Sequence, residues 1–327
     1  MREITFSQAI NEALKEEMRR DPMVVTWGED IAAIGGNFGV TKDLLDEFGP
    51  ERVKDTPISE DAIVGLALGA SLVGVRPVAE IMFSTFLGCC MEELANQVGA
   101  IRYMNGGQIT TPLVVRTCNS LGRSGAAQHS GRNEAWIMHT PGMKVVIPAT
   151  PYDAKGLLKT AIRADDPVVF FEHALLYYQA KGPVPEEEYT IPFGVADVKR
   201  EGSDVTIVAY QVMVHKALEA AEILAGEGIE AEVVDPRTLV PLDVDTIVKS
   251  VKKTNRLVVA TEECGRAGVN GEIAFRVIEE AFDYLDAPIV RVTAANVPVP
   301  FSPTLEQYIM PKTEDVVEAV RRLIDGG

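Results

Sequence analysis

The sequence predicts an α/β protein in which parallel sheets are covered on both faces by helices, with two such units in one chain. Three observations carry this. Short apolar runs rich in β-branched residues alternate with longer segments of helical periodicity along all 327 residues. Several of those runs are apolar at every position, as strands buried on both faces must be. Between the two series lies QAKGPVPEEEYTIPFGVADVKREG, rich in Pro, Gly and charge and without helical periodicity. Residues 1–185 are therefore expected to form one domain, 186–200 a linker and 201–327 a second domain.

The elements follow in order. MREITFSQAINEAL reads as a strand and then an amphipathic helix, not as a secretion signal. MVVTWGED is a strand running into a loop. TPISEDAIVGLALGASLVG holds a helix of Ala, Gly, Leu and Val that reads as wholly buried, and VRPVAEIMF is the next strand. TFLGCCMEELANQVGAIRYM reads as one helix, PLVVRTC as a strand and MKVVIPAT as another. The helix PYDAKGLLKTAIRADD opens with a Pro in its first turn. PVVFFEH closes the first series. The second runs DVTIVAY, VMVHKALEAAEILAGEGI, EAEVVDP, LDVDTIVKSVKK and RLVVATEE, with a helix near 271–286, the strand PIVRVTA and a last helix over 314–325.

Composition excludes several function classes. Asp and Glu number 48 against 31 Lys and Arg, a formal charge of −17, which argues against nucleic acid and against an anionic membrane surface. No apolar run reaches the roughly 18 residues that span a bilayer. The four cysteines, Cys89, Cys90, Cys118 and Cys264, have no CxxC spacing and read as free thiols of a cytoplasmic protein. No histidine lies at zinc-ligand spacing from a cysteine. There is no GxxxxGK[ST] loop and no GxGxxG opening a helix, so neither a P-loop nor a dinucleotide site has support.

Ligands of open α/β sheets bind beyond the carboxyl ends of the strands. Three loops qualify: GEDIAAIGGNFG, SLGRSGAAQHSGRNE and EECGRAGVNGE. Glu60 has two local readings: a first-turn carboxylate behind a Ser59 N-cap, facing the helix dipole, or a carboxylate at a buried edge ready to share a proton with a ligand nitrogen. Phe86 is either a core aromatic or a ring that stacks on a heteroaromatic ligand. His129, in a Gly- and Ser-rich loop, is a candidate for catalysis or ligand binding. His139 and His173, beside apolar runs, read as structural, and His215 as a surface residue.

TPISEDAIVGLALGAS, AQHSGRNEAWIMHTPGMKVVIPATPYDAKGLL, DPVVFFEH, VVDPRTLVPLD and NVPVPF together resemble the β subunit of thiamine-diphosphate-dependent 2-oxo acid dehydrogenases, the pyruvate, branched-chain and acetoin enzymes among them. The resemblance runs from Ile4 to about Leu323. It implies a pyrimidine-binding domain with a parallel sheet followed by a transketolase C-terminal-like α/β domain. It implies that Glu60 hydrogen-bonds the aminopyrimidine ring and favours its imino form, that Phe86 stacks on that ring, and that His129 helps pass the acyl group to a lipoyl arm. No Gly-Asp-Gly occurs, so the diphosphate and its Mg are expected to be held mainly by an α subunit, in an α2β2 heterotetramer. The resemblance further implies a β–β contact, docking to the lipoyl acyltransferase core, and a structural K+ at Leu113, Ala161, Ile162, Ala164 and Asp166. A transketolase-like or deoxyxylulose-phosphate-synthase-like enzyme, or a non-catalytic scaffold, are the alternatives.

The sequence departs from the family pattern in places. Gly131 and Arg132 follow His129-Ser130 where the family has Gln and then Ser or Asn. Near Cys89 the family commonly has Gln, Glu92 stands where Asp is usual and Ala294 replaces a usual Gly. Arg123 and Arg132 add cations to the His129 loop.

Overall fold

The computed structural model describes residues 1–326. Two sheets dominate. The first has seven strands in the order Thr238–Val240, Lys144–Val146, Val168–His173, Val114–Asn119, Arg76–Ile81, Val24–Gly28 and Val53–Asp55. All its neighbours are parallel except the Thr238–Val240 edge, which pairs antiparallel with Lys144–Val146. The second sheet runs Val290–Ala294, Leu257–Cys264, Val205–Ala209, Ala231–Asp235 and Asp197–Arg200, parallel but for the last pair. Arg2–Thr5 and Lys181–Val184 form a separate two-stranded ribbon.

The central strands are legible in composition. Val114–Asn119, Val168–His173 and Val205–Ala209 are buried at every residue, as strands with helices on both faces require. Helices Phe6–Arg20 and Pro151–Arg163 pack together, and their contact holds two fully buried lysines. Lys155 Nζ lies 2.7 Å from Glu16, and Lys159 Nζ 2.7 Å from the same carboxylate. Burial is tolerated because each ammonium is paired. Pro151–Arg163 starts as its sequence demands: Thr150 accepts from Asp153 N at 3.1 Å, and Pro151 fills the first turn.

Three expectations change. The stretch 186–200 ends in Asp197–Arg200, a strand of the second sheet, and Thr238–Val240 crosses back to the edge of the first. The helix Glu60–Leu72 is buried on one face only; Leu66 is 54% exposed and Leu72 42%. The segment read as one helix from Thr85 divides into a 3-10 turn Ser84–Cys90, a π-helical stretch Glu92–Val98 and a short helix Ile101–Met104. Among the described residues, no helix is long and apolar enough to cross a membrane.

Candidate active site

Four adjacent strands of the first sheet end on one side of the molecule, and each delivers a candidate. Glu29 follows Val24–Gly28, Glu60 follows Val53–Asp55, Phe83 and Phe86 follow Arg76–Ile81, and His129 lies in the loop after Val114–Asn119. Parallel strands make this convergence automatic, since all their carboxyl ends share one edge.

Glu60 is half-buried in the first turn of Glu60–Leu72. Ser59 stands at the N-cap but its side chain makes no capping bond, so capping does not explain Ser59-Glu60. Glu29, which the sequence reading passed over, is half-buried nearby. Its carboxyl is pushed up, first by burial and then by the charges of Glu60, Asp30 and Glu80. Its position at the end of a strand, in the loop already singled out, was the signal available.

Phe83, Phe86 and His129 form an aromatic cluster. Phe83 and Phe86 meet edge-to-face at 5.6 Å between centroids. His129 sits edge-on to Phe83 at 5.1 Å and to Phe86 at 5.4 Å, with its own surface exposed. The loop is held by its backbone. Ser120 Oγ donates to His129 O, Thr85 Oγ1 to Gln128 O, and Ser84 Oγ to Gly131 O at 3.0 Å. A Cβ at residue 131 would lie 2.4 Å from Thr85 Cγ2, so the glycine at this departure from the family pattern permits the close approach.

The two loop arginines part company. Arg123 is exposed, its guanidinium 5.2 Å above the Phe38 ring. The Arg132 side chain is only 5% exposed. It donates to Glu134 at 2.6 Å, to Gln211 at 2.9 Å and to Glu262, so it is a buried ion-pair member and not a cation offered to a ligand. His173 Nε2 lies 2.8 Å from the same Glu262 carboxylate. Burial works against the Glu262 charge, but His173 and Arg132 outweigh it and hold the carboxyl at about 2. His173 is itself lowered by burial, whereas Arg132 carries a permanent charge. Beneath the site, buried Arg116 bridges Glu80 at 2.7 Å and Glu172 at 2.6 and 2.8 Å, with Tyr177 donating to Glu172 at 2.5 Å. Burial pushes the Glu80 carboxyl up, against the pull of Arg116.

The remaining candidates divide. His173 is buried, as a structural residue should be. His139 is exposed and lines two cavities of about 820 and 710 Å³ at the junction of the domains. Neither cavity is lined by Glu60, Phe86 or His129. His215 is exposed, with Nε2 2.8 Å from Ala149 O. The four cysteines are free, and Cys90, buried beside Glu60, is pushed up to about 12 by burial and then by that charge.

The oxygens of the K+ expectation all have protein donors. Ile162 O and Ala164 O accept from Arg76 Nη1 at 3.1 and 3.0 Å. Leu113 O accepts from Val168 N at 3.0 Å and Ala161 O from Ala164 N at 3.3 Å. Asp166 is paired with Lys144 at 2.9 Å and with Arg102. Cationic side chains thus occupy Ile162 O, Ala164 O and the Asp166 carboxylate, while Leu113 O and Ala161 O accept from backbone N–H groups.

At the opposite edge Glu60 and Phe86, both half-buried, are a proton acceptor and an aromatic ring of the kinds a heteroaromatic ligand would need. Among the described residues no group of three or more His, Cys, Asp or Glu converges as a metal site.

Comparison with known proteins gives concordant results. Residues 2–179 match the family described as transketolase, pyrimidine binding domain, and residues 194–316 match transketolase, C-terminal domain. The chain is 49% identical to the acetoin:2,6-dichlorophenolindophenol oxidoreductase subunit beta of Cupriavidus necator, covering 100% of this chain and 99% of that one. It is 46% identical to the pyruvate dehydrogenase E1 component subunit beta of Bacillus subtilis, covering 99% and 100%. A solved structure described as a split gene transketolase, inactive beta4 tetramer, superposes with a TM-score of 0.81 at 28% identity, covering 99% of each chain.

Proposed function

The chain belongs to the β subunits of 2-oxo acid and acetoin dehydrogenase E1 components, built on the transketolase pyrimidine-binding and C-terminal domains, and from that membership we propose that it contributes one half of a thiamine-diphosphate site completed by an α subunit. One observation carries the reading: Glu29, Glu60, Phe86 and His129 follow the carboxyl ends of four adjacent parallel strands, with His129 exposed and the others half-buried. Bound thiamine diphosphate supplies a nucleophilic carbon and an electron sink for cleaving the bond beside a substrate carbonyl.

This chain's own residues prepare and use that chemistry. Glu60 hydrogen-bonds a ring nitrogen, with Glu29, whose own carboxyl is pushed up by burial and by the Glu60 charge, as a second carboxylate nearby. Phe86, braced edge-on by Phe83, offers a ring face for stacking. His129 moves a proton at its imidazole for an acyl acceptor, and its exposure lets a lipoyl arm from another protein reach it. The activity is then that of an oxidoreductase acting on an oxo group with a lipoyl disulfide as acceptor, present only in the α/β assembly. Mg and the diphosphate are held mainly by the α chain, in an α2β2 arrangement with a β–β contact and docking to a lipoyl acyltransferase core. Four free thiols support a cytoplasmic setting. Identity of 49% to a dehydrogenase β subunit against 28% to a transketolase favours this reading over a ketol transferase.

Reconstitution with an α chain carrying Gly-Asp-Gly tests it. Decarboxylation of a 2-oxo acid, or cleavage of acetoin, with an artificial electron acceptor should require both chains, thiamine diphosphate and Mg. Glu60→Gln should lower the rate on the order of 100-fold or more, the range of general acid–base contributions. His129→Ala should lower acyl transfer to a lipoyl domain far more than decarboxylation. Full activity of this chain alone, or a Glu60→Gln enzyme at the wild-type rate, refutes the assignment.

A further inference from the structure

We propose that the C-terminal domain positions the His129 loop, with Glu306 as the positioning residue on one limb and the Arg132–Glu262 pair on the other. Glu306 lies in the helix Pro303–Ile309 and is 1% exposed. Its carboxylate reaches into the other domain. Oε1 accepts from Gly122 N at 2.9 Å; Oε2 accepts from Ser124 N at 2.7 Å and from Ser124 Oγ at 3.3 Å. Among the described residues it forms no ion pair, so its buried charge is balanced by the loop's donors alone. Charge-assisted bonds of this kind are the strong ones, and a buried carboxylate without them would be costly.

The loop needs such a hold. Gly122, Ser124 and Ala126 all have left-handed backbones, with φ of +94°, +56° and +57°. Two of the three carry a Cβ, and that conformation persists only where the surroundings over-determine it. A Cβ at Gly122 would lie 2.9 Å from Leu175 Cδ1 and 3.1 Å from Met310 Cε, so the same C-terminal segment also packs on this limb. On the far limb, Arg132 is tied to Gln211 and Glu262, both in the C-terminal half. Between the anchors stands His129, its carbonyl fixed by Ser120. The imidazole is thus carried by one domain and braced by both: Ser84, Thr85 and Ser120 hold its loop from within the first domain, and Glu306 and Glu262 hold the two limbs from the second.

The inference rests on the reading of His129 as the acyl-transfer residue, so the test separates the two. In the α/β assembly, Glu306→Gln keeps one acceptor oxygen and Glu306→Ala keeps none. Amide hydrogen exchange at Gly122 and Ser124 should accelerate at least tenfold in Glu306→Ala and less in Glu306→Gln. Acyl transfer to a lipoyl domain should fall in the same graded order, at least tenfold for alanine, with decarboxylation falling less than threefold. His129→Ala serves as the benchmark for that split. A parallel fall of both rates, or exchange unchanged from wild type, overturns the inference. If His129→Ala itself fails to split the rates, the assigned role of His129 falls, and the exchange result alone decides for or against the clamp.

Discussion

Glu263 shows how much a single buried carboxyl can tell. It is 3% exposed, accepts from Asn270 N at 2.8 Å, and neighbours Glu134. Burial, and then Glu134, push its carboxyl from the ordinary 4.5 up to about 7. The folded chain therefore binds a proton between those pH values that the unfolded chain does not. Where the native state binds more protons, unfolding free energy rises as pH falls, so the protein should gain stability here from pH 8 to pH 5. Asp235, also raised to about 7 by burial, acts in the same sense. Glu263→Gln should shrink the difference in unfolding free energy between pH 5 and pH 8, by up to about 3 kcal/mol at ~1.4 kcal/mol per unit, as denaturant titrations at the two pH values would read it. A difference identical to wild type would show that Glu263 is not the titrating group. Residues of this kind were invisible in the sequence. Glu60, Phe86 and His129 were found because they sit in motifs that resemble a family. Glu29 lay in a loop singled out for its place after a strand. Glu306 and the buried state of Arg132 have no local signal, since both depend on contacts between distant halves of the chain.

At the scale of elements, the strands were legible because their burial is written locally in unbroken apolar runs. The segment from Ser84 to Met104 was not, because what breaks it lies elsewhere. A Cβ at Gly99 would lie 2.8 Å from Pro141 O, and one at Gly142, where φ is +92°, would lie 2.0 Å from Gly99 O. Two glycines thus bring the end of the π-helical stretch against the loop before Lys144–Val146. Gly142→Ala meets both a backbone clash and a left-handed φ, and should cost about 3 kcal/mol or more. Gly107 supplies the control: its φ is +74°, yet nothing lies within 4 Å of an added Cβ. Gly107→Ala should cost only the conformational ~1–2 kcal/mol. Denaturant midpoints of the two variants compare them directly. Equal losses would mean that the crossing of Gly99 and Gly142 does not shape this segment.

At the scale of the whole molecule, two domains drawn from composition do not make two independent folding units. Thr238–Val240 leaves the second half of the chain to become the edge strand of the first sheet, and Ile147 N donates to Arg237 O at 2.9 Å beside it. Fully buried Asp153, on a helix of the first domain, is held by Lys199 at 2.6 Å and Arg237 at 2.7 Å, both from beyond residue 185. Removing those residues would uncover Val145, Val146 and Ile147, each 0% exposed, along an unpaired strand edge. It would also strip Asp153 of both cations and free the His129 loop from Glu306 and Glu262. An exposed apolar edge invites pairing with other chains. Residues 1–185 expressed alone should therefore aggregate, whereas the full chain should unfold in one calorimetric transition that reports both sheets. A soluble, cooperatively folding 1–185 fragment would show that the edge strand and the Asp153 cluster are incidental. It would also remove the physical reason for one domain to brace a residue carried by the other.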